Sequence, residues 1–136
     1  MALETYKSID DPKYQFVNFM GCTWPVPIQM ELGRGDAYGK SFLHINYEKK
    51  KVSLIEFYIK DIENYPDNIG DYKINDFGVK TELVDVHDGI KEYSIESVKL
   101  DVRYTMFYSD SNALRISNVD KSLRDEMIRY CLKHKK

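Results

Sequence analysis

From Val98 to Tyr108 the chain alternates: Val98, Leu100, Val102, Tyr104, Met106 and Tyr108 fall on one parity, Lys99, Asp101, Arg103 and Thr105 on the other. A period of two predicts a central sheet strand with one buried face. Ser109 to Asn112 supply turn residues and Ala113 to Ser117 a second short strand. An amphipathic helix then runs towards the C-terminus, so a hairpin and a covering helix form one local unit. Val119, Leu123, Met127 and Cys131, with Tyr130 beside them, make the helix's apolar stripe. Ser117 and Asp120 have the spacing of a capping box, and Asp120 with Arg124 and Asp125 with Arg129 are acid-first pairs one turn apart.

Upstream the same reading predicts further strands. Leu43, Ile45 and Tyr47 share one face of a strand starting at Ser41, and His44, Asn46 and Glu48 share the other. A turn over 48–51 with a lysine tip leads into Val52 to Ile59, apolar on both parities and therefore expected to be covered on both faces. Thr81 to Val86 and Ile90 to Ser97 are joined by His87-Asp88-Gly89, where Asp-Gly between apolar runs signals a hairpin. The inward parity switches near Ser97, which predicts a bend or bulge with the strand continuing into Val98.

The N-terminal third is more ambiguous. Asp11-Pro12, the spacing of Tyr14, Val17 and Met20, and Gly21 read as a short helix with its cap, first-turn proline and terminator. A strand over Tyr14 to Met20 is the alternative, because Tyr-Gln-Phe-Val-Asn-Phe also alternates. Trp24-Pro25-Val26-Pro27 must be extended, and Trp24 is expected to plug the core. Ile28 to Leu32 is a candidate edge strand, Gly33 to Gly39 a loop, and Asp61 to Gly78 a long connection of the kind that often carries function. The expected architecture is one α+β domain over 1–136: a mostly antiparallel sheet of about six strands, the C-terminal helix packed on one face, and a short N-terminal helix.

Composition narrows the function classes. The net charge of −2 argues against a general nucleic-acid binder, and no apolar run approaches the ~18 residues of a membrane span, so a soluble protein without cofactor is expected. Met-Ala-Leu-Glu has no basic segment followed by an apolar one, which favours a cytoplasmic chain; a periplasmic or secreted one follows if a signal peptide has been removed. Cys22 and Cys131 have no metal-ligand spacing and read as two buried reduced thiols, with one disulfide between the chain ends as the other reading.

Catalytic motifs are thin. Gly39-Lys40-Ser41 lacks the upstream glycine of a phosphate loop and precedes a strand, not a helix. Arg34-Gly35-Asp36 reads as a solvated turn, and Asp85, His87 and Asp88 are explained by the hairpin turn as well as by half a metal site. His44, His87 and His134 are the only histidines, and no Ser or Cys sits in a nucleophile context. Glu56 is the one carboxylate expected to be partly buried, paired with a core Tyr or Lys; an enzyme using Glu56 or His44 is the third-ranked reading.

Charge is distributed more informatively. Residues 61–92 hold nine acids against three lysines, a local balance of −6, whereas 119–136 hold six basic residues against three acids, a balance of +3. Asp61, Glu63, Tyr65, Asp67, Asp71, Tyr72 and Asp76 are the candidate contact residues of an acidic, tyrosine-bearing surface. The leading expectation is a non-enzymatic protein-binding module of bacterial type, neutralising a basic toxin or enzyme. The alternative is a carrier or sensor holding an apolar ligand between helix and sheet, lined by Phe57, Tyr104, Met106 and Met127.

Overall fold

The computed structural model describes residues 5–33, 39–58, 72–74, 78–97, 99, 101–109 and 112–135. Its strands, in chain order, are β1 (Thr5–Lys7), β2 (Tyr14–Phe19), β3 (Cys22–Pro27), β4 (Glu31–Leu32), β5 (Gly39–Asn46), β6 (Lys51–Tyr58), β7 (Tyr72–Ile74), β8 (Val79–His87), β9 (Ile90–Ser97), β10 (Val102–Ser109) and β11 (Asn112–Ser117); α1 (Lys121–Lys133) follows. They form a three-stranded sheet, β1-β2-β3, and an eight-stranded sheet in the order β4-β5-β6-β11-β10-β9-β8-β7. Every pairing among them is antiparallel, and the fold is α+β with a C-terminal helix. The expected count of about six strands is thus too low for the described residues: the large sheet alone has eight, since the run from Ile90 makes two strands and Tyr72–Ile74 adds another, and the N-terminal third folds as a second sheet.

That sheet replaces the expected N-terminal helix. Met20 and Gly21 both take positive φ, 50° and 75°, and form the two-residue turn that pairs Phe19 with Cys22. Gly21 therefore closes a hairpin of the primed type and does not terminate a helix. β3 tolerates Pro25 and Pro27 because it lies at the edge of its sheet, where a missing N–H costs no ladder bond.

The inner face of the large sheet contributes Phe42, Ile55, Phe57, Phe107, Leu114 and Ile116, and β3 and α1 close over it with Trp24, Val26, Met127 and Cys131, all in one buried cluster. Trp24 is the expected plug: fully buried, its ring 5.4 Å from that of Phe107, its indole N–H donating to the carbonyl of Phe19 at 3.0 Å. Cys22 and Cys131 are joined as a disulfide, so the reading of two reduced thiols is corrected. The bond staples β3 to α1 across 109 residues of sequence.

Three further expectations change. β9 ends at Ser97 and the chain reverses, Asp101 at positive φ, so that Val102 pairs back with Ser97; the parity switch marks a hairpin between β9 and β10, not a bulge in one strand. A register shift occurs instead in β8, between Leu83 and Asp85. The central strand β10 is buried on both sides at its far half, Phe107 facing the main core and Met106 a second cluster with Tyr93, Ile95 and Ala113. At the helix start Ser117 belongs to β11 and Asp120 makes no side-chain cap bond, so the capping box does not form. Of the acid-first pairs, Asp125 with Arg129 acts only through charge: the bond from Lys121 at 2.8 Å chiefly lowers the Asp125 pKa and the Arg124 and Arg129 charges add to it, while Arg124 donates to the Thr105 hydroxyl at 2.9 Å.

Candidate functional site

Two regions outside the main core gather side chains capable of recognition. The first lies on the outer face of the large sheet. Register places Arg115 opposite Glu56 on one side and Met106 on the other, and Ser117 opposite Leu54 and Tyr104. The Tyr58 hydroxyl donates to Glu56 Oε2 at 2.6 Å, Arg115 Nε stands 3.7 Å from Glu56 Oε1, and the guanidinium lies over the Tyr104 ring at 4.2 Å. Arg115 Nε and Ser117 Oγ are shielded from solvent without a hydrogen-bond partner. Glu56 thus has the core tyrosine expected for it, and an arginine in addition. The carboxylate is held in place by the phenol that donates to it and by the guanidinium beside it.

The second region is the β8–β9 hairpin and the strand beside it. Asp88 (φ 50°) and Gly89 (φ 89°) form the turn that Asp-Gly predicts. Glu82, Asp85 and Asp88 are exposed, and so are Val84 (54%) and Val86 (51%). His87 Nε2 is 2.7 Å from Glu92 Oε1 and 3.9 Å from Asp85 Oδ2. Lys135 reaches back to donate to the Asp88 carbonyl and carboxylate, at 2.6 and 2.9 Å. The Asp85-His87-Asp88 spacing is therefore used by an ion pair and a turn, and no group of three or more potential metal ligands occurs among the described residues. Beyond this hairpin β7 forms the end of the sheet, and its register sets Tyr72 opposite Glu82.

Of the residues singled out in the sequence, Asp61, Glu63, Tyr65, Asp67, Asp71 and Asp76 lie outside the described residues, as does Arg34-Gly35-Asp36, while Tyr72 lies in β7. The four apolar-pocket candidates are not brought together. Phe57 and Met127 meet in the sealed core on the inner face, whereas Tyr104 and Met106 belong to the outer cluster. Gly39-Lys40-Ser41 opens β5, where a Cβ on Gly39 would run into the carbonyl oxygen of Phe57, and Lys40 Nζ donates to the Thr5 hydroxyl at 2.9 Å. His44 is exposed on β5 and His134 stacks on Tyr130 at 4.1 Å. Arg115 carries no motif and Ser117 reads as a helix cap; their signal for the outer face is that both share the parity opposite to Leu114 and Ile116.

No helix among the described residues is long and apolar enough to cross a membrane. No protein-family model, curated protein or solved structure matches the chain.

Proposed function

We propose that this chain is a non-enzymatic protein-binding module that captures a basic protein along the sheet edge made by β7 and the β8–β9 hairpin. The observation that carries the reading is the pairing of Tyr72 with Glu82. It sets β7 beside a hairpin that turns Glu82 and Asp85 to solvent next to two exposed valines. Exposed carboxylates steer a basic surface towards the edge, and the valines supply apolar contact once it docks. The partner class that fits is a bacterial toxin or enzyme with a basic working surface, neutralised when that surface is covered. The Cys22–Cys131 disulfide favours a non-reducing compartment for the encounter, in place of the cytoplasm.

Reversal of Asp67, Asp71 and Asp76 to Lys, with Glu82→Lys added, tests the proposal against the basic polypeptide that the wild-type chain retains from its producing cells. Capture is lost in the variant and weakens steeply with salt for the wild type, while the melting temperature stays nearly unchanged. Retention by the reversed variant overturns the proposal.

A further inference from the structure

The β5–β6 hairpin lies at the opposite corner of the large sheet from the acidic turn. Strand directions put the 47–50 turn at one end of the sheet and Asp88-Gly89 at the other, in opposite halves of the strand order. Phe42 and Ile55 point from this hairpin into the core. The cross-strand pairs Leu43 with Leu54 and Ile45 with Val52 therefore line its other face. That face becomes more exposed towards the tip: Ile45 and Val52 are each 41% accessible and Tyr47 is 83% accessible. Lys49, Lys50 and Lys51 follow Tyr47, are exposed, and form no ion pair with a described residue; Glu48 is the one acid in the 47–51 segment. A chain of net charge −2 thus carries a locally cationic tip on an apolar stem.

The tip is held in shape. Lys49 N–H donates to Asn46 Oδ1 at 3.1 Å, and Lys50 takes the positive φ of 53° that closes the turn. The stem is fastened to the segment before α1: the Ser53 hydroxyl donates to the Asn118 carbonyl at 2.7 Å and Asn118 Nδ2 to the Val52 carbonyl at 3.0 Å. Exposed aliphatic side chains on this stem, with an aromatic and lysines at its tip, make a mixed apolar and cationic edge of the kind that binds a lipid interface.

We infer that the β5–β6 hairpin is a wedge that docks the protein on an anionic lipid surface, with Ile45, Tyr47 and Val52 entering the headgroup boundary and Lys49 and Lys50, in the turn, contacting anionic headgroups. A four-residue turn is far too narrow to bury the roughly 800 Å² per partner of a stable protein interface. Shallow insertion needs no such area: a few apolar groups and two lysines act together, each lysine near an anionic surface strengthening binding about fivefold. Charge complementarity selects anionic lipid over neutral lipid. This docking is independent of partner capture at the β7–β8–β9 edge.

Co-sedimentation with vesicles tests the inference, using phosphatidylcholine alone and phosphatidylcholine with a third phosphatidylglycerol. The wild-type chain sediments with the anionic vesicles and stays in solution with the neutral ones. Lys49→Glu with Lys50→Glu lowers binding at least about tenfold, and Tyr47→Ser lowers it about threefold or more; both keep the wild-type melting temperature because these side chains are exposed. Absence of sedimentation with anionic vesicles overturns the inference. So does binding equal on both vesicle types, or binding that survives these substitutions and is lost instead on reversing Lys133 and Lys135. A dimer in analytical ultracentrifugation that Ile45→Ser dissociates assigns the face to a second copy of the chain and equally overturns it.

Discussion

The two faces of the eight-stranded sheet differ less in composition than in what closes them. The inner face lies under a second sheet and a helix that are themselves joined by the Cys22–Cys131 disulfide, and its phenylalanines reach complete burial. The outer face carries a smaller cluster around Met106, then polar groups such as Glu56 and Arg115, then the exposed aliphatics of the β5–β6 hairpin. Stability is thus concentrated on one side of the sheet. The other side and the sheet's corners are where side chains can change without unfolding the protein, and both proposed recognition surfaces lie there.

The contrast can be broken most forcefully at Trp24. Trp24→Ala removes the plug between β3 and Phe107 and is expected to cost about 3–5 kcal/mol in denaturant unfolding. Replacing Cys22 and Cys131 together by Ala is expected to cost about 2–5 kcal/mol, since the bond restrains a very long loop in the unfolded chain; reducing agent on the wild type lowers the melting temperature in the same way. Met106→Ala on the outer cluster should cost about 2–3 kcal/mol. A cost matching that of Trp24→Ala would show that the two faces are equally closed.

A fourth test uses pH at the seam between the small sheet and α1. Burial pushes the Tyr14 hydroxyl up to about 12, helped by its hydrogen bond to Glu126 and by the charges of Glu126 and Asp11; burial also raises Tyr130. The unfolded chain releases such protons near pH ~10, so the folded state holds them more tightly. This contribution is complete below about pH 10 and is lost as the pH rises towards 12, on the order of 1–2 kcal/mol in stability measured across that window. Tyr14→Phe flattens the fall. Smallest of all is Tyr47→Ser, expected within about 0.5 kcal/mol of wild type in the same unfolding assay.

The sequence carried the fold where local chemistry and tertiary context agree. Asp88-Gly89 made its hairpin, Trp24 to Pro27 was extended, and β10, β11 and α1 follow in the order that periodicity predicts. It misled where one residue serves two grammars. Gly21 after Met20 terminates a helix or closes a primed turn, and only pairing with β3 decides between them. The switch of inward parity at Ser97 has the same signature for a bulge and for a chain reversal. Which face of β5 is buried depends on Phe42 meeting Ile55 and the small sheet above, which no local pattern encodes. The disulfide is likewise invisible in spacing, because its two cysteines belong to elements at the two ends of the chain. Of the candidate sites, the acidity of the β8–β9 hairpin was legible as charge density. The partnership of Glu56 with Arg115 was not, since it depends on β6 pairing with β11.

Whether the acidic edge holds a basic protein is read by native mass spectrometry of the chain isolated gently from the cells that make it. The expected result is a complex with a basic polypeptide that dissociates as salt is raised. A bound small molecule in place of a polypeptide, or the bare chain under the gentlest conditions, would contradict it.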